Sequence, residues 1–290
     1  KKCAEATIDE ILAHWSGLGY YARARNLHKT AQIIHQQYAG RWPTTVEALM
    51  SLPGIGRSTA GAIISFSTQQ HAVILDGNVK RVLARYFQVT GWPGNKVVHD
   101  QLWLIASKLT PSQHSATYNQ AMMDLGSLIC TRSSPHCQAC PVQFQCKAFA
   151  HSEQHLYPGK KPKQKTRRKQ STMMLILQNK KKEVLLIKRP EQGIWGGLWS
   201  FPEAQTLSQL KQNWQRHING DFTRAQSLPI IEHRFSHYDL TIKPILIQAK
   251  AAAKIQQDNQ HWHDLLSNQP GGIPAPVQTL FNLLKENPHD

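Results

Sequence analysis

Apolar positions recur at helical spacing along the first half of the chain and at strand spacing along the second. Thr7-Ile8-Asp9-Glu10 carries the pattern of a capping box and predicts a short helix through Trp15, which Gly17-Leu18-Gly19 breaks. A second helix is expected from about Tyr21 to Tyr38, because Leu27, Ala31 and Ile34 share one face before Gly40 and Pro43 end it. Further helical patterns cover roughly residues 45–51, 57–68, 77–87, 97–109 and 116–130, so the first 150 residues read as nearly all helix. Beyond residue 170 the period changes. The runs Thr172–Gln178 and Glu183–Arg189 are strand-like and flank the polar turn Asn179–Lys182. A helix near 207–218, strand-like segments around His233–Ile247 and a last helix over about 276–286 make this half α+β.

Between the halves, His155–Gln170 is rich in Lys, Arg and Pro and poor in apolar residues, the composition of a basic tether. The expected division is a helical domain over 1–150, a linker over 151–170 and an α+β domain over 171–290. Such a length accommodates two domains with cores of their own. No apolar run is long enough to cross a bilayer, and no signal-peptide pattern opens the chain. The 34 Lys and Arg against 18 Asp and Glu give a net charge of +16, which predicts a polyanionic partner, most simply nucleic acid. The first residue is Lys rather than Met, so the chain is expected to be part of a longer protein or to have been processed.

Three stretches carry candidate chemistry. Cys130-x6-Cys137-x2-Cys140-x5-Cys146 places four thiols in one short window, enough to wrap a single soft-ligand centre. Spacing alone leaves tetrahedral zinc and an iron–sulfur cube both open. Cys3 stands apart and reads as a plain small residue. In Leu52-Pro53-Gly54-Ile55-Gly56-Arg57-Ser58, two glycines bracket an isoleucine ahead of a helix. Such a turn permits a tight helical hairpin, and the unpaired amides and positive dipole end of the following helix form a site for a phosphate. Eighteen residues beyond Ser58 stands Asp76, which reads both as a helix N-cap and as a carboxylate facing a bound substrate.

Taken with "GLGYYARARNL", "NQAMMDLGSLICTRSSPHCQACPVQFQC" and "YPGKKPKQ", these stretches resemble the bacterial adenine DNA glycosylase (MutY) family from about residue 7 to the C-terminus, more weakly beyond 205. The resemblance implies a multi-domain protein. A mostly α helix–hairpin–helix glycosylase domain with an iron–sulfur cluster loop is followed by an α+β Nudix-like domain. It selects a 4Fe–4S cluster over zinc at Cys130, Cys137, Cys140 and Cys146. The implied reaction is removal of adenine mispaired with 8-oxoguanine or guanine in double-stranded DNA, with the adenine flipped into a pocket. The implied protein is a monomer of the bacterial cytoplasm and nucleoid, with no membrane partner. Asp76 matches the aspartate that stabilises the cationic sugar, and Asn78 a polar residue supporting it. Tyr20 matches an aromatic wedge beside 8-oxoguanine, and Gly54, Gly56, Ser58 and Lys80 lie where DNA is contacted. The related endonuclease III proteins place a nucleophilic lysine where this chain has Ser58, so a lyase is not expected.

The family's general-acid glutamate and an intercalating glutamine lie ahead of the region with which this chain opens. Glu5, Asp9 and Glu10 fall in a different helix, and Glu10 supports the capping box. General acid catalysis contributes about a hundred- to ten-thousand-fold, so this chain alone is expected to be nearly inactive, with a non-catalytic lesion-binding module as the alternative. "EVLLIKRPEQGIWGGLWSFPEAQ" resembles the front of a Nudix fold, but the glutamate-rich helix that holds magnesium is not matched after Pro202, and no diphosphate hydrolysis is expected. In the resembled family this domain reads 8-oxoguanine, with Phe235, Ser236 and His237 as the matching residues. By themselves those three residues read as a β-hairpin corner.

Overall fold

The computed structural model describes residues 1–162, 168–215, 224–236, 238–249 and 259–286. It divides into two compact units, one of residues 1–32 with 165–290 and one of residues 33–164. Among the described residues no helix is long and apolar enough to cross a membrane.

The chain opens with α1 (Lys2–Glu5), which periodicity does not announce, and α2 (Ile8–His14). The predicted capping box starts α2, with Thr7 accepting from the Glu10 amide and Glu10 from the Thr7 amide. Then follow α3 (Ala22–Gln37), α4 (Val46–Met50), α5 (Arg57–Thr68), α6 (Gly77–Tyr86), α7 (Lys96–Leu109) and α8 (Ser115–Asp124). The helix expected over 116–130 leaves the α form at Asp124 and continues as a π-helical turn, Leu125–Ile129, that delivers the chain to Cys130. Short 3-10 turns at Cys137–Ala139 and Gln143–Gln145 lead to α9 (Lys147–Ala150).

The unit of residues 33–164 buries two apolar clusters. Ile34, Leu49, Leu52, Ala60 and Ile64 form one across α3, α4 and α5. Leu75, Val79, Leu83, Leu102 and Ala106 form the other, where the apolar stripe of α6 meets α7. Gly61 permits the closest approach between α5 and the segment leading to Asp76: a Cβ there would stand 2.2 Å from the Val73 carbonyl oxygen.

In the other unit β1 (Arg168–Gln178), β2 (Val184–Lys188), β3 (Trp199–Ser200), β4 (Glu203–Ala204), β5 (Gln226–Ser227), β6 (Ile231–Arg234), β7 (Tyr238–Gln248) and β8 (Gln260–His263) form a mixed sheet. Its centre is a parallel β1–β7 pairing from Arg168↔Tyr238 to Gln178↔Gln248. Helices cover both faces, which is why the strand core reads as unbroken apolar sequence. Met174, Ile176, Ile242 and Leu246 pack with Leu280 and Phe281 of α11 (Ala275–Glu286), and Leu175, Leu177, Ile245 and Ile247 with Leu210 of α10 (Leu207–Trp214). Two boundaries differ from expectation. β1 starts at Arg168, inside the stretch read as linker, because residues 168–170 are exposed and polar while their backbone still pairs with 238–240. α10 ends at Trp214, and residues 216–218 of the expected helix lie outside the described residues.

Candidate active site

Around the hairpin turn the two glycines do different work. Gly54 adopts φ of 77°, a left-handed conformation open chiefly to glycine. Gly56 is extended at φ −90° and ψ 170°, and a Cβ on it would meet nothing within 4 Å. It is the N-cap of α5 and offers no side-chain cap, so the first amides of that helix stay available to an outside acceptor. The Ser58 hydroxyl accepts a hydrogen bond from the Leu75 amide at 2.9 Å, which ties the first turn of α5 to the residue before Asp76.

Asp76 is half-buried at the N-cap of α6, where its Oδ1 accepts from the Val79 amide at 2.8 Å. Among the described residues no donor is bonded to Oδ2, so one carboxylate oxygen anchors the group and the other is left for a ligand. Asn78 follows on the first turn, its Oδ1 accepting from Arg81 Nη2 at 2.8 Å. Lys80, half-buried, lies one turn beyond Asp76.

Two arginines that charge counting assigned to no role tie α6 to the cysteine segment. Arg81 Nε donates to the Cys130 carbonyl at 2.7 Å and its Nη2 to the Gly126 carbonyl. Arg85, only 3% exposed, donates to the carbonyls of Gln154, Tyr157, Cys130, Thr131 and Arg132. Its Nη1 also stands 3.3 Å from Cys130 Sγ. The available signal was Arg81 and Arg85 four residues apart, flanking the stripe of an otherwise amphipathic helix.

All four clustered cysteines are unpaired thiols and line one cavity of about 30 Å³, walled by Val82, Leu125, Ile129, Pro135 and Phe149. Burial pushes the Cys137 and Cys146 thiols up, and the neighbouring thiols push the same way. Among the described residues no group of three or more His, Cys, Asp or Glu side chains is spaced to hold a single metal ion. The apolar wall, the convergent sulfurs and a buried guanidinium at Cys130 nonetheless suit an anionic thiolate-bound group.

The remaining candidates lie in the sheet-containing unit. Tyr20 is 77% exposed at φ of 50°, on a loop where Trp15 Nε1 donates to the Gly19 carbonyl at 3.0 Å. The Arg23 guanidinium sits 5.2 Å from its ring centroid. Phe235 and exposed Ser236 occupy the corner of the β6–β7 hairpin, closed by the Phe235 amide donating to the Tyr238 carbonyl at 2.9 Å. His237 lies outside the described residues. Phe235 joins an aromatic cluster that sequence reading missed, 5.1 Å from the Trp195 ring and 4.7 Å from that of Tyr238. Trp195 adopts φ of 54°, a strained value for a bulky residue.

Residues 1–108 match the model of the HhH-GPD superfamily of base excision DNA repair proteins, and residues 172–283 match that of the NUDIX domain. An adenine DNA glycosylase of Buchnera aphidicola subsp. Schizaphis graminum (strain Sg) is 37% identical over 287 residues, which are 97% of this chain and 81% of the relative. One from Buchnera aphidicola subsp. Acyrthosiphon pisum (strain APS) is 36% identical over 289 residues, covering 99% and 82%. The human adenine DNA glycosylase is 31% identical over 292 residues, covering 82% of this chain and 53% of the relative. With a helix–hairpin–helix match, a Nudix match and relatives of this identity along nearly its whole length, the chain belongs to the adenine DNA glycosylase family.

Proposed function

We propose that this chain acts in base-excision repair on double-stranded DNA, hydrolysing the N-glycosidic bond of adenine mispaired with 8-oxoguanine or guanine. One observation carries the reading: Asp76 heads α6 with one oxygen fixed by a backbone amide and the other unbonded, next to the Leu75 amide that the hairpin's Ser58 holds. As the C1′–N9 bond breaks, its electron pair leaves with the base, which takes up a proton, and positive charge develops on the sugar until a water adds at C1′ and loses its proton. A fixed carboxylate stabilises that charge where it appears and reorganises little, so it lowers the barrier instead of merely binding substrate. Asn78, oriented by Arg81, supplies a polar neighbour to the same atoms. The open amides after Gly56 receive a phosphate, with Lys80 as a further cation. Tyr20 wedges into the stack, and Phe235, Ser236 and His237 read the oxidised base opposite. Serine at position 58 supplies no amine for a Schiff base, so the reaction stops at the abasic site.

Cys130, Cys137, Cys140 and Cys146, four thiols lining one apolar-walled cavity, would hold a 4Fe–4S cluster. When bound, it supplies thiolate–iron bonds that hold the loop, and Arg81 and Arg85 link that loop to α6.

The test is Asp76→Asn. Binding to a duplex carrying a cationic pyrrolidine in place of the target deoxyribose should weaken far more than binding to the uncharged analogue. Equal affinity for the two analogues in both the variant and the parent protein rejects the assignment of Asp76.

A further inference from the structure

Residues 1–32 pack against the Nudix-like sheet, and how they do so bears on lesion selectivity. Leu12 of α2 is fully buried beside Leu198 and Ala24. It lies directly on glycine backbone: a Cβ on Gly272 would stand 2.8 Å from Leu12 Cβ and from the Leu12 carbonyl oxygen. Beside it Asp9 Oδ2 meets Lys188 Nζ at 2.6 Å, with each side chain 27% exposed. Asp9 Oδ1 and Trp199 Nε1 are both buried, and both stand 2.9 Å from where a Cβ of Gly271 would be. A half-buried ion pair in such a seat contributes little net stability but sets register strongly, since a displaced partner leaves a charge uncompensated. Past the exposed Tyr20 the contacts resume. The Tyr21 hydroxyl donates to the Ile273 carbonyl at 3.1 Å, and Arg25 Nη1 to the Gly196 carbonyl at 2.7 Å. Gly196 adjoins Trp195, whose ring packs on Phe235.

We infer that Asp9, Lys188 and Leu12 are positioning residues that hold the Tyr20 loop in register with the hairpin corner at Phe235 and Ser236, so that the wedge and the reader meet the lesion as one body. The inference rests on the lesion-reading roles proposed above for those loops. Its function is selectivity: misplacing the loop costs contacts at 8-oxoguanine and leaves general duplex binding alone. No such coupling is visible in sequence, because the paired residues lie 171 to 252 positions apart.

The test uses the full chain and two duplexes, each with uncleavable 2′-fluoro-2′-deoxyadenosine opposite either 8-oxoguanine or guanine. Asp9→Lys and Lys188→Asp should each lower the ratio of the two affinities about tenfold. Affinity for the guanine duplex should change less than about twofold, and the double reversal should restore the ratio. Leu12→Ala, which loosens the seat without touching the charges, should lower the ratio too. Tyr20→Ala and Phe235→Ala serve as references. If they leave the ratio intact, the lesion-reading assignment falls and the inference with it. If they lower it while the seat variants do not, or if the double reversal fails to restore it, the inference alone is overturned.

Discussion

Gly126 has no room for a side chain, since a Cβ there would stand 2.6 Å from the Cβ of Asn78. Gly126→Ala should therefore displace the first turn of α6 and cost about 1–3 kcal/mol of stability as overpacking. Its loss of affinity for the cationic pyrrolidine duplex should exceed its loss for the uncharged duplex. An equal loss of both would place Asn78 in binding rather than in the chemical step. His263 gives a residue-scale prediction of another kind. It is 1% exposed, stacked on Phe281, and burial holds its pKa below the ordinary 6.5. The folded state keeps it neutral while the unfolded chain takes up a proton near 6.5, so stability falls as pH drops through that value and on toward the folded pKa. Chemical denaturation of His263→Phe should show a shallower loss of stability between neutral and mildly acidic pH than the parent does. Parallel curves would remove His263 as the cause.

At the scale of elements, α6 connects the proposed chemistry to the cysteine segment. Its N-cap is Asp76, its first turn carries Asn78, and the face it turns to the cysteine segment carries Arg81 and buried Arg85. Arg85→Met should unfold more readily by on the order of 3 kcal/mol, because several buried carbonyls lose their donor at once. Arg85→Lys should recover only part, for an ammonium cannot match a planar fork. The same variants, and Cys137→Ser, should lower iron content in proportion to the loss of the charge-transfer absorbance of bound thiolates. Full iron occupancy in Cys137→Ser would remove that residue from the ligand set. Most of these elements were legible beforehand, since a stripe at helical period or a two-face apolar strand follows from local chemistry. Their ends were less so. The π-helical turn at Leu125–Ile129 continues the apolar pattern of α8, and only its packing against Asn78 marks it off.

On the scale of the whole molecule, the charge of +16 is the broadest feature, and binding to duplex should weaken steeply with salt. With about six phosphates contacted, affinity should drop on the order of a thousandfold between low and moderate salt. A flat response in fluorescence anisotropy would speak against a backbone-tracking DNA interface. Read from residue order alone, the chain already declared a helical half, an α+β half, four clustered thiols and an aspartate at a helix start, because caps, turns and periodicity act over a few residues. The seat of Leu12 and Asp9 on the second half was decided only in three dimensions, as were the Arg85 carbonyl cage and the aromatic cluster at Trp195. Each joins segments far apart in the chain, where no local periodicity or propensity records which surfaces will meet.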